Sequence, residues 1–154
     1  MNYIILDFDG VINVLHDGFL NDWRKYNTYK LPYCNVKISN NIINWLHYLN
    51  NQDNTTVLWL SSWLEDIVFF NTIGIPNFHY IGDSDCLFSE YWKTEYLDIF
   101  ISNHTSDNDI IVWIDDEEDM SYIDNKYSNV YCFKTDSNRG ITPDIIDHID
   151  KLIF

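Results

Sequence analysis

The chain has 154 residues, 46% of them hydrophobic and 17% aromatic, enough for one domain that buries about two-thirds of its unfolded surface without staples. A formal charge of −15 argues against a protein that coats nucleic acid by neutralising phosphates, but not against an enzyme that grips one terminal phosphate, because summed charge governs long-range attraction and a catalytic grip is local. Cys34, Cys86 and Cys132 lack Cys-x-x-Cys spacing, no basic region opens the chain and no apolar run reaches the roughly 18–20 residues of a membrane span; neither a disulfide scaffold, a zinc site nor a membrane anchor is expected, and a reducing cytoplasm fits best.

The first strand is expected over 2–7, where the apolar run Tyr3-Ile4-Ile5-Leu6 ends in Asp7-Phe8-Asp9-Gly10. Ligands of open α/β sheets bind outside the carboxyl ends of the strands, and residues i and i+2 of an extended segment project the same way. Asp7 and Asp9 therefore repel across one edge unless a cation lies between them, and a hard divalent ion such as Mg²⁺, completed by waters and phosphate oxygens, removes that repulsion. Gly10 lets the chain turn away with no Cβ in the site. Taken alone, the pair also fits a solvated turn.

Residues 13–38 read as an irregular insert, a short cap or flap carrying His16, Trp23, Arg24, Tyr26, Tyr29 and Tyr33, whose aromatics fit base stacking or simple packing onto the sheet. A helix is expected over 39–51, started by Ser39, with Ile42, Ile43, Leu46 and Leu49 on its core face. The strand over 56–61 ends in Ser61-Ser62, and Ser62 with Glu65 forms a capping-box pattern for a helix over 63–72, leaving Ser61 to face a phosphate oxygen. A short strand follows over 78–81, then a helix over 89–102 capped by Ser89, which puts Lys93 in its first turns, where the helix dipole disfavours a cation. With nine Lys and Arg in the chain, that lysine is informative.

The run Ile110-Ile111-Val112-Trp113-Ile114 predicts a buried strand over 110–115 that again ends in carboxylates. Asp115 is placed to complete a cation site, with Asp116 as a neighbouring or alternative ligand and the acids through Asp119 at the start of a helix over 117–127. A strand over 129–134 and a helix over 143–153, with Thr142 as N-cap and Pro143 in its first turn, close the chain. Strands alternating with helices predict an α/β fold with a doubly wound, Rossmann-like parallel sheet in one domain over 1–154. The histidines are scattered and the six tryptophans, mostly inside apolar runs, are expected in the core.

In this order and spacing the four segments resemble the haloacid dehalogenase superfamily of phosphohydrolases over residues 3–119. The resemblance implies a Mg²⁺-dependent phosphatase in which Asp7 is the nucleophile, Asp9 the general acid/base, Ser61 a phosphoryl ligand and Lys93 the balancing cation. Asp7, the Asp9 carbonyl and Asp115 would bind Mg²⁺, with Asp116 beside them and Gly10 and Ser62 near the substrate. Leu60-Ser61-Ser62-Trp63, Trp113-Ile114-Asp115-Asp116-Glu117 and the loop from Lys134 to Thr142 are similar to small domains of this superfamily found with RNA-repair proteins of bacteria and phages. That implies a phosphorylated nucleic-acid end or nucleotide as substrate and leaves room for a protein partner; Arg24, Lys25, Lys30 and Arg139 are candidates for a small basic patch or plain solvated positions. Deoxyribonucleotidases share the Asp-Gly-Val start, and a non-catalytic binding protein on the same fold is the reading from another class.

Overall fold

The computed structural model describes residues 1–15, 26–85, 87 and 89–154. In chain order the elements are β1 (Asn2–Leu6), β2 (Asn27–Lys30), β3 (Asn35–Ile38), α1 (Asn40–Asn50), β4 (Thr55–Trp59), a 3-10 helix (Leu64–Ile73), β5 (His79–Tyr80), α2 (Trp92–His104), β6 (Ile110–Asp115), α3 (Ser121–Lys126), β7 (Val130–Lys134) and α4 (Pro143–Ile153). Among the described residues the strands form a five-stranded parallel sheet, ordered β5-β4-β1-β6-β7, and an antiparallel pair, β2-β3.

Both faces of the main sheet are covered, which is why its strands are near-continuous apolar runs rather than alternating ones. Ile4, Leu6, Val57, Trp59, Val112 and Ile114 point to one face, where Leu46 and Leu49 of α1 and Ile149 and Ile153 of α4 pack on them. Ile5, Leu58, Ile111 and Trp113 point to the other, against Leu97 and Ile101 of α2 and Ile123 of α3. The architecture is α/β with helices on both faces, consistent with a Rossmann-like fold. Because the chain runs outward from β1 through β4 to β5 and then returns to place β6 on β1's other side, the order reverses at β1. Crevices outside the carboxyl ends of the strands at such a reversal are where open α/β sheets bind ligands.

Several boundaries differ from the sequence reading, each for a local reason. The insert is not irregular throughout: 27–38 form a hairpin that buries Val36 and Ile38 while β2 stays largely exposed, so the strand lacks the apolar run that would announce it. His16, Trp23, Arg24, Lys25 and Cys86 lie outside the described residues. Ser62 does not cap a helix; the following element is a 3-10 helix from Leu64, and it is Ser61 Oγ that accepts the Trp63 amide at 3.3 Å. Nor does Ser89 cap α2, which starts at Trp92; its hydroxyl donates to Glu95 Oε1. The helix expected over 117–127 shrinks to Ser121–Lys126, since the 116–120 stretch folds back over the end of β6. Ser39 and Thr142 do cap α1 and α4, accepting the amides of Asn41 and Ile145. No helix among the described residues is long and apolar enough to cross a membrane.

Candidate active site

One residue beyond the paired Leu6 and Ile114, β1 and β6 deliver Asp7 and Asp115 side by side, tied by the Asp7 amide donating to the Ile114 carbonyl at 3.0 Å. Parallel pairing in register, not sequence proximity, makes them neighbours. Lys93, on the second residue of α2, reaches across from the other side of the sheet edge: its Nζ lies 2.8 Å from Asp7 Oδ2 and 2.7 Å from Asp115 Oδ2. All three side chains are buried, Asp115 completely.

The remaining oxygens are also engaged. Asp7 Oδ1 accepts the Phe8 amide, and Asp115 Oδ1 accepts the amides of Glu117 and Glu118, which is what bends the chain back after β6. Burial pushes the Asp7 carboxyl up to about 7 despite the opposing pull of Lys93, while the two carboxylates hold the Lys93 ammonium above its ordinary value even though burial alone would lower it. Asp116 rises to about 6, from burial first and the Asp115 charge second.

Carboxylate oxygens of Asp7, Asp115 and Asp116 all lie within 4.8 Å of one another. Three carboxylates facing one ammonium leave an excess of negative charge in a half-buried pocket, and an all-oxygen donor set of this kind suits a hard divalent ion such as Mg²⁺. The residues therefore fit the ion the sequence resemblance implies. Gly10, at φ +77°, is packed so close to the Asp116 carboxylate that a Cβ there would collide with it. That is a steric reason for glycine beyond the turn itself.

Asp9 is held apart from this cluster. Its Oδ1 accepts Asn13 Nδ2 at 2.8 Å and its Oδ2 accepts Trp63 Nε1 at 3.0 Å. Two neutral donors thus fix the orientation of the carboxyl group. A cavity of about 330 Å³ opens over the group, lined by Asp7, Asp9, Leu15, Ser62, Trp92, Lys93, Asp116, Glu117 and Glu118. Ser62 is exposed on its wall, whereas Ser61 is 1% exposed with its Oγ turned to the Trp63 amide. The hydroxyl that meets the cavity is therefore that of Ser62, because Ser61 is drawn into the turn that ends β4.

The segment carrying Asp9 is buttressed by the late loop. Thr135 Oγ1 donates to the Gly10 carbonyl at 2.8 Å, the Thr135 amide to the Asp115 carbonyl and the Ile141 amide to the Val11 carbonyl. Gly140, at φ +66°, lies so near the Val11 carbonyl that any Cβ would displace it. Thr135 thereby links the two acidic strand ends through backbone groups.

Sequence assigned no role at the site to Trp63 or Asn13. Asn13 sits four residues after Asp9 with an isolated bridge between them, a spacing that could have signalled a local clamp. Trp63 follows the paired serines, but an indole inside an apolar stretch reads as core. Four tryptophans (Trp45, Trp59, Trp92 and Trp113) are indeed buried. Among the described histidines none joins the carboxylate cluster. Comparison with known proteins finds no match: no family model, no curated protein and no solved structure.

Proposed function

We propose that the chain is a Mg²⁺-dependent phosphatase of the haloacid dehalogenase type that removes a terminal phosphate from a nucleic-acid end or nucleotide. One observation carries the reading: a lysine from α2 bridges two buried aspartates at the adjoining ends of β1 and β6, at the reversal of strand order, with a second aspartate of the first motif two residues away and separately oriented. A purely structural ion pair needs one carboxylate per lysine and gains nothing from a third beside it.

In this scheme an Asp7 oxygen attacks phosphorus as the bond to the leaving oxygen breaks, giving an aspartyl phosphate. Asp9 hands its proton to the leaving oxygen, then takes one from the water that hydrolyses the acyl phosphate. Lys93 offsets the charge gathered on the phosphoryl oxygens, and Ser62, with Ser61 behind it, offers a hydroxyl donor. Asp7, Asp115 and Asp116 would hold Mg²⁺, which when bound supplies positive charge and favours the ionised Asp7 that attack requires.

The test is phosphate release from an aryl phosphate. Wild-type protein should turn over with Mg²⁺ and stop in excess EDTA. Equal release in EDTA would remove the metal's role, and wild-type turnover by Asp7→Asn would remove the nucleophile. Mg²⁺ binding with no turnover of any phosphomonoester would favour the non-catalytic reading.

A further inference from the structure

A second cavity of about 330 Å³, mainly apolar in its walls and acidic at its rim, lies between the first turns of α2 and the start of α3. Tyr91, Glu95 and Asp98, spaced four and three residues apart, reach it from one face of α2 and its N-cap, and Asp119 and Tyr122 close it from the α3 side. Tyr91 and Asp119 directly adjoin Trp92 and Glu118 of the catalytic cavity, so the two hollows are neighbours. Both tyrosines stand more than half exposed, so core packing does not account for either ring.

The surface beside this cavity shows how such groups hold a cation. Lys126 Nζ lies 2.8 Å from the Asp98 carboxylate and faces the rings of Tyr122 and Tyr127, and a carboxylate with aromatic faces is the combination that attracts ammonium and guanidinium groups. Glu95, Asp119 and Tyr91 repeat those ingredients without the cation. Glu95 accepts the Ser89 hydroxyl at 3.1 Å and Asp119 the Ser121 amide at 3.0 Å, both neutral donors. Lys134 acts on Asp119 only through space, and among the described residues no ammonium or guanidinium pairs with either acid.

Charge selects the occupant. With −15 on the chain, nucleic acid, an anionic membrane surface and a second copy are all repelled at long range, and a segment of opposite sign is drawn in. We propose that the α2-α3 cavity docks a basic, arginine-bearing segment of a partner protein, one guanidinium entering the hollow that Tyr91 and Tyr122 line to meet Glu95 and Asp119. Arginine suits it better than lysine, because its planar group stacks on a ring while donating to carboxylates. Seated beside the catalytic cavity, a segment with further basic residues supplies the attraction to polynucleotide ends that the chain itself lacks. The docking goes beyond the phosphatase reading and does not depend on it.

The experiment is fluorescence anisotropy of a labelled peptide of alternating arginine and glycine, read in chelator and without substrate, against a citrulline counterpart that keeps the shape and loses the charge. Saturable binding is expected for the arginine peptide alone. Glu95→Gln with Asp119→Asn keeps both oxygen acceptors, and with them the Ser89 and Ser121 contacts, but should weaken binding about tenfold or more, the scale of one charge-assisted contact. Tyr91→Ser should weaken it about two- to fivefold through the lost ring. A matched double, Asp53→Asn with Asp107→Asn, removes two exposed charges near the amino ends of β4 and β6, the far edge of the sheet, and should leave binding within about twofold of wild type. Equal losses in the two doubles would reduce the effect to bulk charge and overturn the site, as would equal binding of the citrulline peptide or no saturable binding. Spermidine that displaces the peptide at equal concentration would replace the protein partner with a small polycation, and a wild-type dimer that the Glu95/Asp119 double dissolves would assign the cavity to a second copy; either overturns the proposal. Hydrolysis plays no part in the readout, so the docking and the phosphatase reading fail separately.

Discussion

Lys93 and Lys126 hold aspartates at nearly the same distances, 2.7 and 2.8 Å in one case, 2.8 and 3.0 Å in the other, yet the two places have little else in common. Lys126 and Asp98 pair across the gap between α3 and α2 with side chains 41% and 23% exposed. Tyr127 donates to the same carboxylate, and the ammonium lies 5.5 and 5.3 Å from the ring centroids of Tyr122 and Tyr127. Charges there match one to one in a high dielectric, and such a pair contributes about 0–1 kcal/mol. At Lys93 the dielectric is low and the count is unequal, one cation among Asp7, Asp115 and Asp116. Distance alone does not distinguish a surface staple from a buried cluster with unmatched charge; burial and the count of carboxylates do.

The sharpest way to break the comparison is to neutralise each site's acid. Asp7→Asn should lower turnover of an aryl phosphate on the order of 10⁴-fold or more, as loss of a nucleophile does. Asp9→Asn should cost about 10²–10⁴-fold, the usual share of general acid–base catalysis, while Asp98→Asn leaves kcat/KM as it is. Steady-state rates at saturating Mg²⁺ decide this. A larger loss from Asp98→Asn than from Asp9→Asn would invert the assignment.

Removing the buried cation comes next. Lys93→Met strands its carboxylate partners, and breaking one side of a buried pair costs about 3–5 kcal/mol, or roughly 10 °C in Tm for a domain of this size. Mg²⁺ should restore part of that loss, since a ligand at 100 times its Kd adds about 2.7 kcal/mol. Asp115→Asn should forfeit most of the Mg²⁺-dependent rise in Tm. Thermal scans with and without Mg²⁺ measure both, and a Lys93→Met protein that melts within a degree of wild type would show that the pair does not hold this edge.

The sheet and the ends of its strands were legible because both depend on local signals, apolar runs closed by acids and hydroxyls. Asp7, Lys93 and Asp115 could be named singly from their positions at element ends, and in-register parallel pairing of β1 with β6 makes two of them neighbours. What sequence could not display were the contacts made by atoms far apart in the chain: Trp63 Nε1 on Asp9, Thr135 on the Gly10 carbonyl and the hairpin behind Asn13. Ser61 and Ser62 show the limit at its finest. Both placements obey local rules, yet the Ser61 hydroxyl accepts the Trp63 amide inside the turn while Ser62 lines the cavity.

Proton binding sharpens the contrast by a smaller amount. Asp7 and Asp116 sit above their ordinary 3.8 in the folded chain, so between about pH 4 and 7 the metal-free native state holds protons that the unfolded state has released. Stability should then fall as pH rises through that window, by about 2–4 kcal/mol for Asp7. Saturating Mg²⁺ competes with those protons and should flatten the slope, as should Asp7→Asn. Urea midpoints in chelator across pH 4–8 test this, and stability that climbs over the window would contradict the sign.

The smallest expected effect lies at the other pair, and its pH dependence runs the opposite way. Burial alone would raise the Asp98 carboxyl, but hydrogen bonds from Lys126 and Tyr127, with the Lys126 charge, together outweigh it and hold the group below 3.8. Its contribution is therefore present above the ordinary carboxylate range and fades as pH drops through the folded value. Asp98→Asn should lower Tm at neutral pH by no more than about 2–4 °C, the equivalent of about 1 kcal/mol in a domain this size, with the difference shrinking toward pH 3 and in high salt, where exposed charges are screened. A double-mutant cycle with Lys126→Met isolates the pair from the tyrosine contacts. A coupling of several kcal/mol that ignores salt would place Lys126 with Lys93 as a buried interaction and dissolve the comparison.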